Sequence, residues 1–336
     1  MKPKYHSAKT VLAPLQRLRS EGITVAQALA GTGLSLSILE RPEQHVSLSQ
    51  ELIFLRNLRQ VCGDPGIGLY VGSCYPLSLF GLYGYALMSA STMREALKLA
   101  YHFVELSFAF YEHDMRVEHG EVVMLMDADD YHRDDVPMLS EREMVATFMI
   151  LRGLLGDDFV PSRVEFKHPR QVAESRYVEV FGRLPVFSSS RHAISLPMDI
   201  LDVPMLQCDS DTAALCIERG ERIKARLSEE NSIVDEVREM LLLRPGYFPG
   251  IEVVAEKLNM SGRTLRRRLR EHGIGYQKIV DDLRFALARE YLQGTNMRIE
   301  QIASLLGYSD PAHFCHAFRR WSGCAPSQFR DGLSLA

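Results

Sequence analysis

The sequence predicts an α+β N-terminal domain followed by an all-α domain of two helix-turn-helix units joined by a long helix. Three observations lead there. Hydrophobic periodicity changes between the helical and the alternating kind along the first two hundred residues, whereas after residue 250 short helical segments follow one another. Charge is segregated: residues 250–336 carry 13 Lys+Arg against 9 Asp+Glu, a net of +4, while residues 1–249 carry 26 against 34, a net of −8. Finally, "EVVAEKLNMS" (Glu252–Ser261) is echoed 48 positions later by "EQIASLLGYS" (Glu300–Ser309), each followed by a basic helix.

The bulk numbers agree. A chain of 336 residues suits about two domains, and 46% apolar with 24% charged residues is the balance of an ordinary folded protein. The apolar runs fall far below the roughly 20 residues of a membrane span. The opening "MKPKYHSAKTVLAPLQRL" is broken by Pro14 and Arg17 and is not read as a secretory leader. Six cysteines lie scattered without a CxxC pair, so neither a disulfide framework nor a zinc site is expected. The cytoplasm is the expected compartment, and no cofactor is implied.

Taken in order, residues 5–62 read as helices with short turns, among them "SLSQELIFLRNLRQVCG" with Ser47 or Ser49 as cap. "STMREALKLAYHFVEL" is the clearest amphipathic helix. "FAFYEHDMRVE" and "EVVMLMDA" alternate around His119-Gly120 and predict a β-hairpin. "SEREMVATFMILRGLLG" is a long helix, with Ser140 and Glu143 spaced as a capping box. "SRVEFKH" and "AISLP" are strands flanking the short helix "AESRYVEVFG". This domain is placed at residues 1–206 and a helical linker at 207–249, ended by "RPGYFPG" (Arg244–Gly250), whose prolines disfavour helix before them. The final domain spans 250–336.

In each copy of the echo an apolar helix with a small residue (Ala255, Ala303) leads through a turn to a second helix. Ser261, and Ser309 or Asp310, can cap that helix, and Pro311 suits a first turn. In the first copy Leu265 and Leu269 face the core, while Arg263, Arg267 and Arg270 share another face, with Arg266 beside them. In the second, Phe314, Phe318 and Trp321 take the core role, and His313, His316 and Arg320 form the outward stripe. A charge run is usually a solvated face. Here, however, no glutamate balances the five arginines between Arg263 and Arg270, and the run begins at the turn of a reading helix that meets base edges. Unopposed guanidinium groups suit guanine edges and phosphates. Double-stranded DNA is therefore the expected partner.

Residues 250–331 resemble the DNA-binding domain of the AraC/XylS family of bacterial transcription regulators. The resemblance rests on "VAEKLNMSGRTLRRRLREHG" and "RFALAREYLQGTNMRIEQIASLLGYSDPAHFCHAFRRWSGCAPSQFR", with Gly307, Phe314, Phe318, Gly323, Pro326 and Arg330 at signature positions. It implies two helix-turn-helix units bridged by a helix at about Tyr276–Leu292, with both reading helices in successive major grooves. By position it implies Ser261, Arg263, Thr264, Arg266, Arg267 and Arg270 as DNA-binding residues of the first unit. In the second they are Ser309, Ala312, His313, His316 and Arg320. Many members carry arginine where this chain has His316, so the second unit is expected to hold backbone with weaker sequence preference. Residues 15–206, through "GLYGYALMSASTMREALKLAYHFVEL" and "VEFKHPRQVAESRYVEVFGRLPVFSSSRHAISLPMDILDVPM", resemble the arabinose-binding type of N-terminal sensor. That resemblance implies a small-molecule effector, a homodimer, and RNA polymerase as the partner of an activator on promoter DNA.

Tyr101, His102, Glu105 and Tyr111 are the candidate effector-binding residues, each weighed against simple packing. "DADDYHRDD" (Asp127–Asp135) lacks the glycine and terminal glutamate of a calcium loop, and "GIGLYVG" (Gly66–Gly72) lacks the strand and Lys-Ser/Thr of a phosphate loop; no metal is expected. Two function classes compete: an effector-controlled transcription regulator without catalytic residues, and an enzyme or repair protein with a fused helix-turn-helix tail. The second needs a nucleophile or metal motif in residues 1–206, and none is present.

Overall fold

The computed structural model describes residues 5–41, 44–127, 131–229, 233–242, 247–295 and 297–333. Residues 128–130 of the acidic run and 244–246 of the proline-containing stop thus lie outside the described residues. Among the described residues no helix is long and apolar enough to cross a membrane, and no three His, Cys, Asp or Glu side chains are grouped to hold a metal. The chain forms two compact units. One comprises Met1–Glu21, Leu39–Val46 and Leu58–Ser228; the other comprises Gly22–Ile38, Ser47–Asn57 and Glu229–Ala336.

The first unit is built on a four-stranded antiparallel sheet. Its hairpin pairs Glu112–Glu118 with Glu121–Asp127, and His192–Pro197 then pairs on one side with the second hairpin strand and on the other with the short Arg163–Glu165. The hairpin turn is the His119-Gly120 dipeptide, with φ of 51° and 81°; two left-handed residues give the turn whose twist matches the strands. The 20-residue helix Val136–Leu155 buries most of its length. Gly68 and Gly72, on the helix Ile67–Ser73, let that helix approach it closely. A Cβ at Gly68 would sit 2.3 Å from the Met138 carbonyl oxygen, and one at Gly72 2.6 Å from the Val145 Cβ. Gly68 and Gly72 of "GIGLYVG" therefore serve helix packing.

The capping-box reading of Ser140 and Glu143 is corrected. The helix starts a turn earlier, with Pro137 in its first turn, and the Ser140 hydroxyl donates to the Val136 carbonyl at 2.6 Å. Glu143 is claimed by partners remote in sequence, described below.

The second unit has two cores. Leu265 and Leu269 join Val254, Ala255, Ile279 and Val280 in one; Phe314 and Phe318 join Ala288, Leu292, Ile302 and Ala303 in the other. The helix Tyr276–Gly294 feeds both. Val237 and Leu241, from the helix Ile233–Leu242 within the segment read as linker, are buried in the first core, so that core draws on chain upstream of the proline-containing stop. A further helix, Pro326–Leu333, follows the second repeat. The repeat is exact to the bond. Met260 N–H donates to Ala255 at 2.9 Å and Tyr308 N–H to Ala303 at 3.0 Å, while the turn residues Asn259 and Gly307, again 48 apart, both have positive φ, 53° and 76°. Asparagine and glycine are the residues that tolerate this conformation.

Candidate nucleic-acid interface and effector pocket

The helix Gly262–Glu271 is held at its start by Ser261, whose hydroxyl accepts the Thr264 N–H at 3.1 Å. Leu265 and Leu269 are 0% and 1% exposed, which fixes the rotation of the helix and leaves Arg263, Arg266, Arg267, Arg268 and Arg270 all exposed on its other faces. The expectation that no carboxylate opposes these arginines is corrected. Arg266 pairs with Glu252 of the preceding helix at 2.5 Å, and Arg267 with Glu271, one residue beyond the run, at 2.6 Å. Both pairs are solvent-exposed, so each is weak and is readily exchanged for a phosphate or a base edge. The Glu252 carboxyl is held below its ordinary range by the Arg266 hydrogen bond. Arg263, Arg268 and Arg270 make no ion pair among the described residues.

In the second repeat the cap is Asp310, which accepts the Ala312 N–H at 2.8 Å; Ser309 is exposed beside it. Ala312, His313 and His316 lie exposed opposite buried Phe314 and Phe318. Arg320 is exposed but tethered to Asp281 of the bridging helix at 3.2 Å. Trp321, expected in the core, is half-buried at its margin, 5.9 Å from the Phe285 ring.

The bridging helix carries a residue that pattern reading passed over. The Arg284 guanidinium lies 4.5 Å from the Phe248 ring centre and 4.6 Å from that of Tyr308, and its Nε donates to the Leu306 carbonyl at 3.0 Å. Phe248 packs on the first core and Tyr308 on the second. One cation therefore ties the two helix-turn-helix units together.

The chain matches two family models. Residues 22–205 match the arabinose-binding domain of AraC transcription regulator, N-terminal, and residues 254–332 match a helix-turn-helix domain. The chain belongs to the AraC family of transcription regulators. It is 32% identical to the ornithine utilization regulator of Pseudomonas aeruginosa, over 88% of this chain and 87% of that one. It is 30% identical to the HTH-type transcriptional regulator VqsM of the same organism, over 79% and 84% respectively. Among solved structures, that of the transcriptional regulator CdpR from Pseudomonas aeruginosa aligns at 26% identity with a TM-score of 0.49, covering 96% of this chain and 98% of that one. As an AraC-family regulator, the chain carries an N-terminal ligand-binding domain and a helix-turn-helix DNA-binding domain.

Within the first unit of this AraC-family chain a cavity of about 50 Å³ opens between the helices Met93–His102 and Val136–Leu155 and the sheet, lined by Phe80, Leu97, Val104, Met124, Ile150 and Leu154 among others. Of the four candidates from sequence, only Tyr101 lines it. His102 lies at the surface, bonded to Glu221 at 2.5 Å. Glu105 borders a neighbouring hollow of about 150 Å³ and faces Lys224 at 3.9 Å. Tyr111 is 1% exposed and donates to the Val136 carbonyl at 3.2 Å, away from the cavity lining. What sequence reasoning missed is a buried polar set at the cavity wall. His113 bonds Glu143 at 2.8 Å; Glu143 also accepts from Phe110 N–H at 3.1 Å and from Arg142 at 3.0 Å. Arg142, fully buried, lies against the Tyr75 and Phe110 rings and donates to the Phe108 carbonyl. Burial opposes ionisation of Glu143, but the His113 bond and the Arg142 charge outweigh it and hold the carboxyl below its ordinary range.

Proposed function

We propose that this protein binds promoter DNA as a homodimer through both repeats and changes transcription, as an activator working with RNA polymerase, when a small effector enters the N-terminal cavity. In this reading Ser261, Arg263, Thr264, Arg266, Arg267 and Arg270 meet one major groove. Ser309, Ala312, His313, His316 and Arg320 meet the next, about 34 Å along the duplex. The protein acts by binding and not by turnover, in the cytoplasm at the nucleoid. One observation carries the reading: Leu265 and Leu269 are buried while the five arginines between Arg263 and Arg270 are exposed.

Histidine and alanine in the second reading helix make weaker base contacts than arginine, so the first repeat carries most of the sequence preference. The effector acts by preferring one of two subunit arrangements, and can shift them only by its differential affinity. The test is footprinting of the purified full chain on the DNA flanking its own gene at several salt concentrations. Protection of two adjacent major grooves per subunit, with affinity falling steeply as salt rises, supports the reading. Protection without sequence preference contradicts it.

A further inference from the structure

We propose that the effector is a slender, mainly apolar molecule with a single oxygen-bearing head, an aliphatic alcohol or monocarboxylic acid, seated in the 50 Å³ cavity with its head between His113 and Thr147. This rests on the reading of that cavity as the effector site.

Six polar side chains reach the lining: Tyr83, Tyr101, Ser107, His113, Glu143 and Thr147. Four are already committed to the protein. Tyr83 donates to the Ala100 carbonyl at 3.4 Å, Tyr101 to that of Asp114 at 3.0 Å and Ser107 to that of Val104 at 2.6 Å. Glu143 is taken by His113, Phe110 N–H and Arg142. Two polar atoms make no hydrogen bond among the described residues, the Thr147 hydroxyl and the second ring nitrogen of His113, Nδ1. Because His113 Nε2 is bonded to Glu143, Nδ1 is the ring atom left to meet an oxygen-bearing head. It bonds the oxygen of an alcohol or of a carboxyl group, while Thr147 bonds the same head.

A sugar fares badly here. Every ring hydroxyl brought into the cavity needs partners, and each left unmet weakens binding. A free amino acid fares no better: its ammonium needs a counter-charge, yet Glu143, the carboxylate of the lining, is already paired with Arg142 and His113. The rest of the lining is hydrocarbon and aromatic surface, matched by a chain of methylenes.

The experiment is equilibrium dialysis of the full-length protein against radiolabelled n-alkanols from butanol to octanol and the matching acids, with L-arabinose and ornithine alongside. The expected result is saturable binding of one molecule per chain, tightening about fourfold with each methylene that is buried (about 0.8 kcal/mol). Thr147→Val weakens the head contact, and Ala100→Phe or Ile150→Phe, which fill the cavity, cut affinity at least about tenfold; two filling variants are used in case one fails to fold. The alcohol and acid series identify the head. If arabinose or ornithine binds instead and the filling variants abolish it, the ligand class is wrong and the site stands. If alkanols bind but the filling variants leave affinity unchanged, the assigned seat is wrong. If no compound binds saturably, the ligand class proposed here is overturned. The reading of the cavity falls separately if a cell extract that changes promoter binding by the native chain does so equally with both filling variants.

Discussion

Replacing Arg284 by alanine should loosen the pair of helix-turn-helix units. The guanidinium is half-buried, stacked within 4.6 Å of two aromatic rings and bonded at 3.0 Å to the Leu306 carbonyl. At partly exposed sites each cation–π contact is worth about 0.5–1 kcal/mol, and a charged hydrogen bond about 1.5–3 kcal/mol. Taking the lower end of each for solvent exposure, Arg284→Ala should cost about 2–3 kcal/mol. The chain has one tryptophan, Trp321, packed at the edge of the second core, so urea unfolding followed by its fluorescence reports the affected region. Arg284→Lys, which keeps charge but loses the planar stacking surface, should recover less than half of the loss. Binding to a site spanning two grooves should suffer more than binding to a half-site. An unchanged Trp321 transition in Arg284→Ala would refute the idea that this residue joins the two cores.

Three further outcomes follow from the geometry. Ser261→Ala removes the acceptor for Thr264 N–H and should cost about 1 kcal/mol in urea unfolding. Leu269→Ala, at a position 1% exposed, should cost about 2–5 kcal/mol by leaving a cavity; a loss below that range would place the leucine outside the core. Glu141 is pushed up to about 8 by burial, partly offset by its Tyr177 hydrogen bond, from an ordinary 4.5. The folded state therefore keeps a proton that the unfolded chain releases, so this contribution to stability is complete below pH 4.5 and is lost as pH rises through about 8. Glu141→Gln should flatten the decline of melting temperature across that window; an unaltered slope would mean that Glu141 ionises normally.

The parts of the fold that could be read from sequence were those with local physical causes. His119-Gly120 marks its own turn, because two adjacent residues must both enter left-handed backbone. The duplicated unit was visible because Ala255 and Ala303 sit at matching positions under matching turns. Local pattern misleads where partners are distant. Ser140 and Glu143 have the spacing of a capping box, but nothing local reveals that His113 and Phe110 claim the glutamate. The acidic partner of Arg267, Glu271, lies just past the arginine run, whereas that of Arg266, Glu252, sits on the preceding helix and meets it only in the fold. The cavity was invisible because its lining comes from segments between Phe80 and Leu154 that meet only when the sheet and the long helix pack. The aromatic-rich segment that singles out Tyr101 also singles out His102, which the fold turns to the surface, and alternation in a hairpin does not say which face holds a polar cluster such as that of His113.

The most direct test of the account is base preference at the first reading helix. Affinity of the native chain and of Arg267→Ala would be measured, at fixed salt, across a set of operators each altered at one base pair. The account predicts that Arg267→Ala loses about 1–3 kcal/mol and becomes indifferent to the base at one position while keeping its preferences elsewhere. Equal affinity and an unaltered preference profile would mean that the arginine face of Gly262–Glu271 does not enter the groove.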